Sequence, residues 1–531
     1  MKNIIQILFM LCPIIMLGQN YRWEVIHGVQ TRNEGVHHAM EDYDQGLYIS
    51  GYKWIGYEGD GWSIKTDANG NILYDKKHTH SQYTLGIDAV ANDSHGNKYL
   101  CGTFWSDQSW PYLIKLDSCA NLVWCRALQN ENFDFGYSEN VLVNKNNQIL
   151  LQAYYANLQN PVDRIHIIAF DENGNKLWMK PYASENDHPM LKAPDAMDFI
   201  EFNNNYYITG YCYYPFPENP SHLWRRPMFI GIDSLFNEKF VLPFMQKDSI
   251  FGTAYSIIPI NDSTLLGVGS NFISPQFYEI AASLMFINTK GEEVGLKHLS
   301  NDAIGPEIIE IIPSDVEKIN DSLLMTLSDY GTGFQGTHLG EIVMDTSGNI
   351  YKYQSDSTVI TASLVKTYDN NFLKAGSKRQ NNSTWKDICL YKINDSLESV
   401  PFDTTQRVYD SLCPRTIQSG TIDLTACLTI VDIGELPTPD QYYESIRWIP
   451  LKAFPNPVKD GKLTLEFENT EHHQNMVLNC YDDFGRQIHS QKVYKGQQDT
   501  DVDVSGWSPG IYVAVVYSNG GARGKVKFVV E

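Results

Sequence analysis

In the stretch DENGNKLW, Asp171, Asn173 and Asn175 alternate as the oxygen ligands of a calcium loop would. An EF-hand loop also needs Gly at its sixth position and Glu at its twelfth, and neither is present. The same residues suit a hairpin turn centred on Asn173-Gly174, a pair that tolerates positive φ at both positions. His37-His38 and the His78/His80 pair have ligand chemistry, but each pair lacks a third donor and reads as exposed or strand-facing histidine. Gly331-Thr332-Gly333-Phe334-Gln335-Gly336 fits a dinucleotide pattern, which requires a strand before it and a helix after it. Strand-like residues flank it on both sides, so it reads as a flexible loop. H-E-x-x-H, G-x-S-x-G and phosphate-loop patterns are absent. Glycosidase carboxylates can come from distant strands without a local motif, and among 63 acidic residues no pair stands out.

The elements that would position such groups form a repeat. The Asp171 stretch belongs to a pattern of apolar strand, Asp or Asn, polar turn and second strand. Copies of it stand at Asp67, Asp117, Asp171, Asp233, Asn288, Asp345 and Asn394, at spacings of 50, 54, 62, 55, 57 and 49 residues. Before each copy comes a polar turn and a short strand often ending in Gly, as in DQGLYISGY and NNYYITGY. One more apolar strand lies upstream of that. Four strands per repeat, seven times over, predict an all-β, seven-bladed β-propeller, because a lone blade cannot bury its faces. Several copies have lost the calcium-type ligands (residues 117–121 read DSCAN), which favours the turn over the metal site. No metal and no cofactor is expected.

Strand alternation places the short polar A–B and C–D turns on one face of the disc and the longer B–C loops on the other. The B–C loops are aromatic. Blade 1 presents Trp54, Tyr57 and Trp62, and blade 2 presents Trp105, Trp110 and Tyr112. Blade 3 adds Tyr154 and Tyr155; blade 4 adds Tyr213, Tyr214, Phe216, Trp224, Arg225 and Arg226. Aromatics with Arg on loops over a rigid scaffold are the usual material of a binding surface. Packing of the same rings between blades is the competing expectation.

A net charge of −22 argues against nucleic acid as the main partner, since phosphate binding needs clustered Lys and Arg. The N-terminal MKNIIQILFMLCPIIMLGQN has one early Lys and an apolar run too short to span a bilayer permanently. It reads as a secretory signal over residues 1–18, followed by no transmembrane segment. Export permits disulfides, and Cys119–Cys125 and Cys413–Cys427 are the expected pairs, with Cys101, Cys212, Cys389 and Cys480 as buried thiols.

The propeller pattern ends near residue 403. Residues 404–449 carry two of those cysteines with Pro437 and Pro439, and read as a connector. Residues 450–531 alternate in short strands and predict a small immunoglobulin-like β-sandwich. It opens with Phe454-Pro455-Asn456-Pro457, continues with a turn from Tyr481 to Gly485 and Arg486, then Pro509-Gly510-Ile511-Tyr512, and ends on a strand holding Lys525 and Lys527. These motifs, in this order, resemble the type A C-terminal sorting domain of the Bacteroidetes type IX secretion system. The resemblance covers residues 451–531. It implies recognition by that secretion machinery and release or anchoring at the cell surface; it implies nothing about the preceding domain's activity. Asp-Ser pairs at Asp233, Asp248, Asp321, Asp395 and Asp410 resemble the O-glycosylation sequon of the same bacteria, and are also ordinary turn chemistry.

Two functions fit. The first is a secreted or surface-held protein that binds a polysaccharide or a protein through its aromatic loop face. The second is an extracellular polysaccharide hydrolase or lyase with acid and base in the propeller channel. The absence of a recognisable catalytic set favours binding.

Overall fold

The computed structural model describes residues 23–531 apart from 30, 56–57, 107, 130–132, 157–163, 217–218, 246–250, 275–278, 300–309, 332–336, 357–358, 380–384, 431–435, 469–472, 474 and 519–520. The signal segment, Tyr57 and most of the Gly331–Gly336 loop therefore lie outside the described residues.

Almost all of the regular structure among the described residues is β-strand. The first repeat is an antiparallel meander of Asn33–Glu41, Leu47–Ile55, Glu58–Thr66 and Ile72–Thr79. The next five meanders begin with Thr84–Asn92, Phe135–Val143, Lys192–Phe202, Gly252–Asn261 and Glu310–Lys318. A single parallel pairing of Ile280 with Glu310 links the fifth and sixth. The seventh contains Val359–Lys366, Phe372–Arg379 and Lys386–Ile393, and takes its outer strand from far upstream: Glu24–His27 pairs with residues 388–391. The first strand of each sheet packs on the first strand of the next, and Asn33–Glu41 packs on Val359–Lys366 of the seventh.

The cores lie between successive sheets. Tyr48 of the first sheet meets Leu100, Phe104 and Tyr112 of the second. Trp23, Ile49 and Trp62 meet Leu373 and Leu390, which joins the first sheet to the seventh. A strand covered on both faces loses its polar alternation, as in Ile149–Ala156, buried at all eight positions.

The turn that recurs seven times is built by its first residue. Asp171 Oδ1 accepts the amides of Asn173 and Asn175 at 2.9 and 2.8 Å, and Asn175 Nδ2 donates to Oδ2. The equivalent oxygens of Asp67, Asp117, Asp233, Asn288, Asp345 and Asn394 accept the matching pair of amides. The expected two-residue turn with positive φ at both Asn173 and Gly174 is corrected. Gly174 N donates to Asp171 O, and of the two only Gly174 is left-handed, at φ 74°. This is a three-residue loop closed by a bulge. The carboxylate is consumed by its own turn, which disposes of the calcium reading.

The glycine that ends many second strands has an equally local cause. The first strand of the sheets carries a β-bulge, between Val36 and His38 in the first and between Ala196 and Asp198 in the fourth. The bulge pushes a carbonyl towards the neighbouring strand. A Cβ on Gly51 or on Gly210 would sit 1.9 Å from the carbonyl oxygen of Gly35 or Asp195. Small residues fill the same place in other sheets, Ala153 opposite Ser138 and Ser328 opposite Pro313. Gly210→Ala is expected to cost about 2 kcal/mol through overpacking, read as a lowered urea midpoint with an unchanged slope.

The connector is a strap. Residues 420–423 add a parallel strand to the outer edge of the first sheet, and residues 428–430 add one to the second. Upstream, Tyr409 Oη accepts the amide of Ala68, and Asp44 Oδ2 accepts that of Asp410. The pairing expected within 119–125 and within 413–427 is corrected: the disulfides are Cys119–Cys413 and Cys125–Cys427. Cys125 lies within the strand Leu122–Leu128, and several extended residues at about 3.3 Å each carry it beyond the ~7 Å Cα span of a bridge to Cys119. The strap instead brings its cysteines within 5.0 and 4.8 Å, Cα to Cα. The four remaining described cysteines are free and buried. The strap then forms a helix, Pro439–Ile446, that the sequence reading lacked. Thr438 caps it in a capping box with Gln441, and Pro439 stands in its first turn.

Residues 451–531 form two facing sheets around Leu463, Leu478, Val516 and Phe528. Its motif residues hold turns. Asn456 accepts the amide of Val529 at 3.0 Å and donates to Lys527 O, fastening Phe454–Pro457 to the last strand. Asp482 accepts the amides of Phe484 and Arg486, with Gly485 left-handed at φ 77° and the Arg486 guanidinium 2.7 Å from the same carboxylate. Tyr512 Oη donates to Ser508 O, which ties down Pro509-Gly510, while Lys525 and Lys527 stay exposed.

Candidate functional site

The bulges have a second effect: they turn side chains out of the ladder towards the common space between the first strands. A cavity of about 490 Å3 there is lined from all seven sheets, by residues including His37, Asp88, Glu139, Asp198, Asp315 and Ser363. Of these groups only His37 was singled out from sequence, in the pair His37-His38; the others were not, because each sits on a different repeat and only the bulge register shows that they meet.

Two of the carboxylates hold sheets together. Asp198 accepts the amides of Phe199 and, from the next sheet, Ile257, at 2.7 and 3.0 Å, and the Ser256 hydroxyl at 3.1 Å. Asp315 accepts Val316 and, across to the seventh sheet, Leu364, both at 2.8 Å. Burial outweighs these bonds and pushes the Asp315 carboxyl up to about 8. The folded state then keeps a proton that the unfolded chain releases near pH 4, so stability falls as pH rises from about 4 to about 8. Asp315→Asn keeps an acceptor for Leu364, and its Tm is expected to decline less between pH 5 and pH 8 than that of the parent.

His37, Asp88 and Glu139 stand on consecutive sheets. His37 Nδ1 lies 3.1 Å from Asp88 Oδ1, and that bond with the carboxylate overcomes burial to raise the imidazole. Thr103 Oγ1 donates to the other Asp88 oxygen at 3.2 Å. Glu139 makes no hydrogen bond among the described residues. Burial, with Asp195 and Asp88 nearby, raises its carboxyl well above the ordinary range. No group of three or more His, Cys, Asp or Glu is arranged to hold a metal among the described residues.

From His37 a run of rings leads out to the loop face. His37 and Tyr52 are 5.1 Å apart, Tyr52 and Trp54 4.7 Å, and Trp54 meets Trp105 edge-on at 5.6 Å. Within the third sheet Tyr137 stacks on its cross-strand partner Tyr154 at 4.7 Å. Tyr137 and Tyr211 both donate to Asp195, and Arg225 covers the Tyr211 ring at 3.6 Å.

The aromatic loop residues named from sequence thus separate into two sets. Trp54, Trp105, Tyr213, Tyr214, Trp224 and Arg225 are partly exposed. Trp62, Trp110, Tyr112 and Arg226 are core: Trp62 donates to Asp75 under the Lys53 ammonium, and Tyr112 donates to Gly86 O. Tyr155 is fully buried, Tyr154 nearly so, and the Phe216 side chain lies outside the described residues. Strand register separates Trp54 from Trp62: Trp62 pairs with Gly51 and Trp54 with Gly59, so the two rings project to opposite faces of the sheet.

Residues 452–531 match the secretion system C-terminal sorting domain. No curated protein matches the chain. Among solved structures, a protein of unknown function from Dyadobacter fermentans is similar at 8% identity and TM-score 0.39, over 70% of this chain and 97% of that one. The polysaccharide lyase Uly1 gives 10% identity and TM-score 0.42 over 71% and 93%. The first two extracellular domains of Drosophila semaphorin 1a give 9% and 0.40 over 69% and 88%. Likenesses this distant bear on neither ligand nor activity. No helix among the described residues is long and apolar enough to cross a membrane. With its sorting tail at residues 452–531, the chain is a type IX secretion substrate, a secreted protein of the cell surface.

Proposed function

We propose that residues 19–403 form a seven-bladed β-propeller whose loop face holds a polysaccharide or protein ligand at the mouth of the central channel. Packing of each first strand on the next, and of the first sheet on the seventh, supports the ring. The observation that carries the binding reading is the ring series His37, Tyr52, Trp54 and Trp105, which leaves Trp54 and Trp105 partly exposed beside the channel. Aromatic faces of this kind stack on sugar rings and supply large contact area at low entropic cost. In gels containing soluble polysaccharides, the secreted protein is expected to be retarded by at least one polymer. Trp54→Ala with Trp105→Ala should cut that affinity about tenfold with Tm retained; unchanged retardation would remove the loop face from consideration.

A second reading is favoured by Glu139 beside the His37–Asp88 pair. A carboxyl whose proton affinity is raised by burial is suited to general-acid work, and an imidazole–carboxylate pair to base work. It predicts fragments released from the same polymers, with Glu139→Gln abolishing release but not retardation. Retardation without fragments leaves binding as the whole activity.

A further inference from the structure

A polar groove lies away from the channel, where the first sheet, the second sheet and the strap meet. One arm is a cavity of about 530 Å3 whose lining includes Arg32, Lys53, Asp60, Lys77, Gln82 and Tyr83. The other is a cavity of about 270 Å3 whose lining includes His80, Tyr83, Trp110, Gln129, Thr425 and Thr429. His80, Gln82 and Tyr83 belong to both, so the loop at residues 80–83 is a saddle between the two arms. Both volumes lie near the range of small-molecule sites.

The lining has two kinds of group in alternation. Aromatic rings are held at fixed angles: His80 on Tyr83 at 4.5 Å, and both against Phe104 at 5.1 and 5.5 Å. Around them stand amides and hydroxyls, with charges of both signs: Arg32, Lys53 and Lys77 against Glu58, Asp60 and the adjoining Glu34, of which Lys77 pairs with Asp60 at 2.7 Å and Lys53 with Glu34 at 3.6 Å. Three cations against three carboxylates leave little net field to select an anionic polymer, and the polar walls do not suit a lipid. Rings flanked by neutral hydrogen-bonding groups suit a polyhydroxylated chain, which presents an apolar ring face and hydroxyls on its edges.

We propose that this groove binds a polysaccharide chain laid across residues 80–83, with a sugar face on Tyr83 and hydroxyls on Gln82, Gln129, Thr425 and Thr429. One wall is the strap: Ser81 N donates to Thr425 Oγ1 at 3.1 Å, and Cys125–Cys427 anchors the segment that carries Thr425 and Thr429. The site therefore exists only when connector and sheets are assembled. It does not depend on the channel-mouth reading.

The test uses the full-length secreted protein in gels containing soluble starch, xylan, galactomannan, a β-1,3-glucan or chondroitin sulfate. Tyr83→Ala with Gln129→Ala is expected to weaken retardation by a neutral polymer about tenfold. It should do so equally in the parent and in the Trp54→Ala, Trp105→Ala background, where the two losses multiply. Thr425→Ala with Thr429→Ala, on the exposed strap, should weaken it about threefold with Tm unchanged, so loss of fold cannot imitate the result. Retardation untouched by both groove variants, retardation by chondroitin sulfate only, or none by any of the five polymers would overturn the proposal. If the groove variants act and the tryptophan variants do not, the channel-mouth reading fails and the groove stands.

Discussion

Serine at Cys119, Cys125, Cys413 and Cys427 together is expected to cost the protein about 9 kcal/mol, whereas removing either pair alone should cost only about 3 kcal/mol. The asymmetry follows from topology. Either bridge by itself joins the second sheet to the strap across some three hundred residues, 294 for one and 302 for the other. Closing a loop of that size restricts the unfolded chain by roughly 5–6 kcal/mol in the chain-entropy treatment. With one bridge in place, the second closes only the small ring made by residues 119–125 and 413–427, worth roughly 3 kcal/mol. The pairs are therefore coupled, and their effects are non-additive. Equilibrium denaturation of the two double variants and the quadruple variant measures this directly. Equal costs for the second and the first removal would show that the strap is held without regard to loop size.

Trp23→Ala is expected to cost about 3–5 kcal/mol, the range for emptying a large buried aromatic site. Trp23 is 1% exposed. It is packed with Val36, Ile49, Leu373 and Leu390 in the cluster that binds the first sheet to the seventh, and its ring lies 6.1 Å from Phe402. Its amide donates to Ser399 Oγ at 2.6 Å. The neighbouring pairing of Glu24–His27 covers only four residues, and the indole is one of the two tryptophans in the apolar cluster at that junction. Hydrogen exchange should show the loss as increased opening of residues 386–393 and 24–27, with sheets three to five little changed. Uniform loss of protection across all seven sheets would mean that the ring unfolds as one unit and has no weak junction.

The repeat was legible because its signals are local. An Asp or Asn whose side chain must accept two amides of its own turn leaves the same mark at Asp67 and at Asn394. The small residue facing each bulge is legible for the same reason, once the carbonyl behind Gly51 is known. The disulfides were legible as four cysteines but not as pairs, since pairing depends on where the strap travels. Rings such as Trp62 and Trp54, eight residues apart in one sheet, differ in fate through the strand register that turns the first inward. Asp88 and Glu139 left no mark at all, and His37 showed only as one of a histidine pair, because nothing in a single repeat says which other repeat it will face.

Pairing of Val25 with Leu390 also sets a timetable for synthesis. Each meander can collapse as soon as its own four strands exist, because its contacts are short-range in sequence. The junction must wait for a partner more than three hundred and sixty residues downstream, and until then Glu24–His27 is an unpaired edge open to other chains. The strap and the sorting domain are made later still. By the time the sorting tail can be recognised, both halves of the junction and all four bridging cysteines are already present, so a chain arrested before residue 452 lacks the sorting tail.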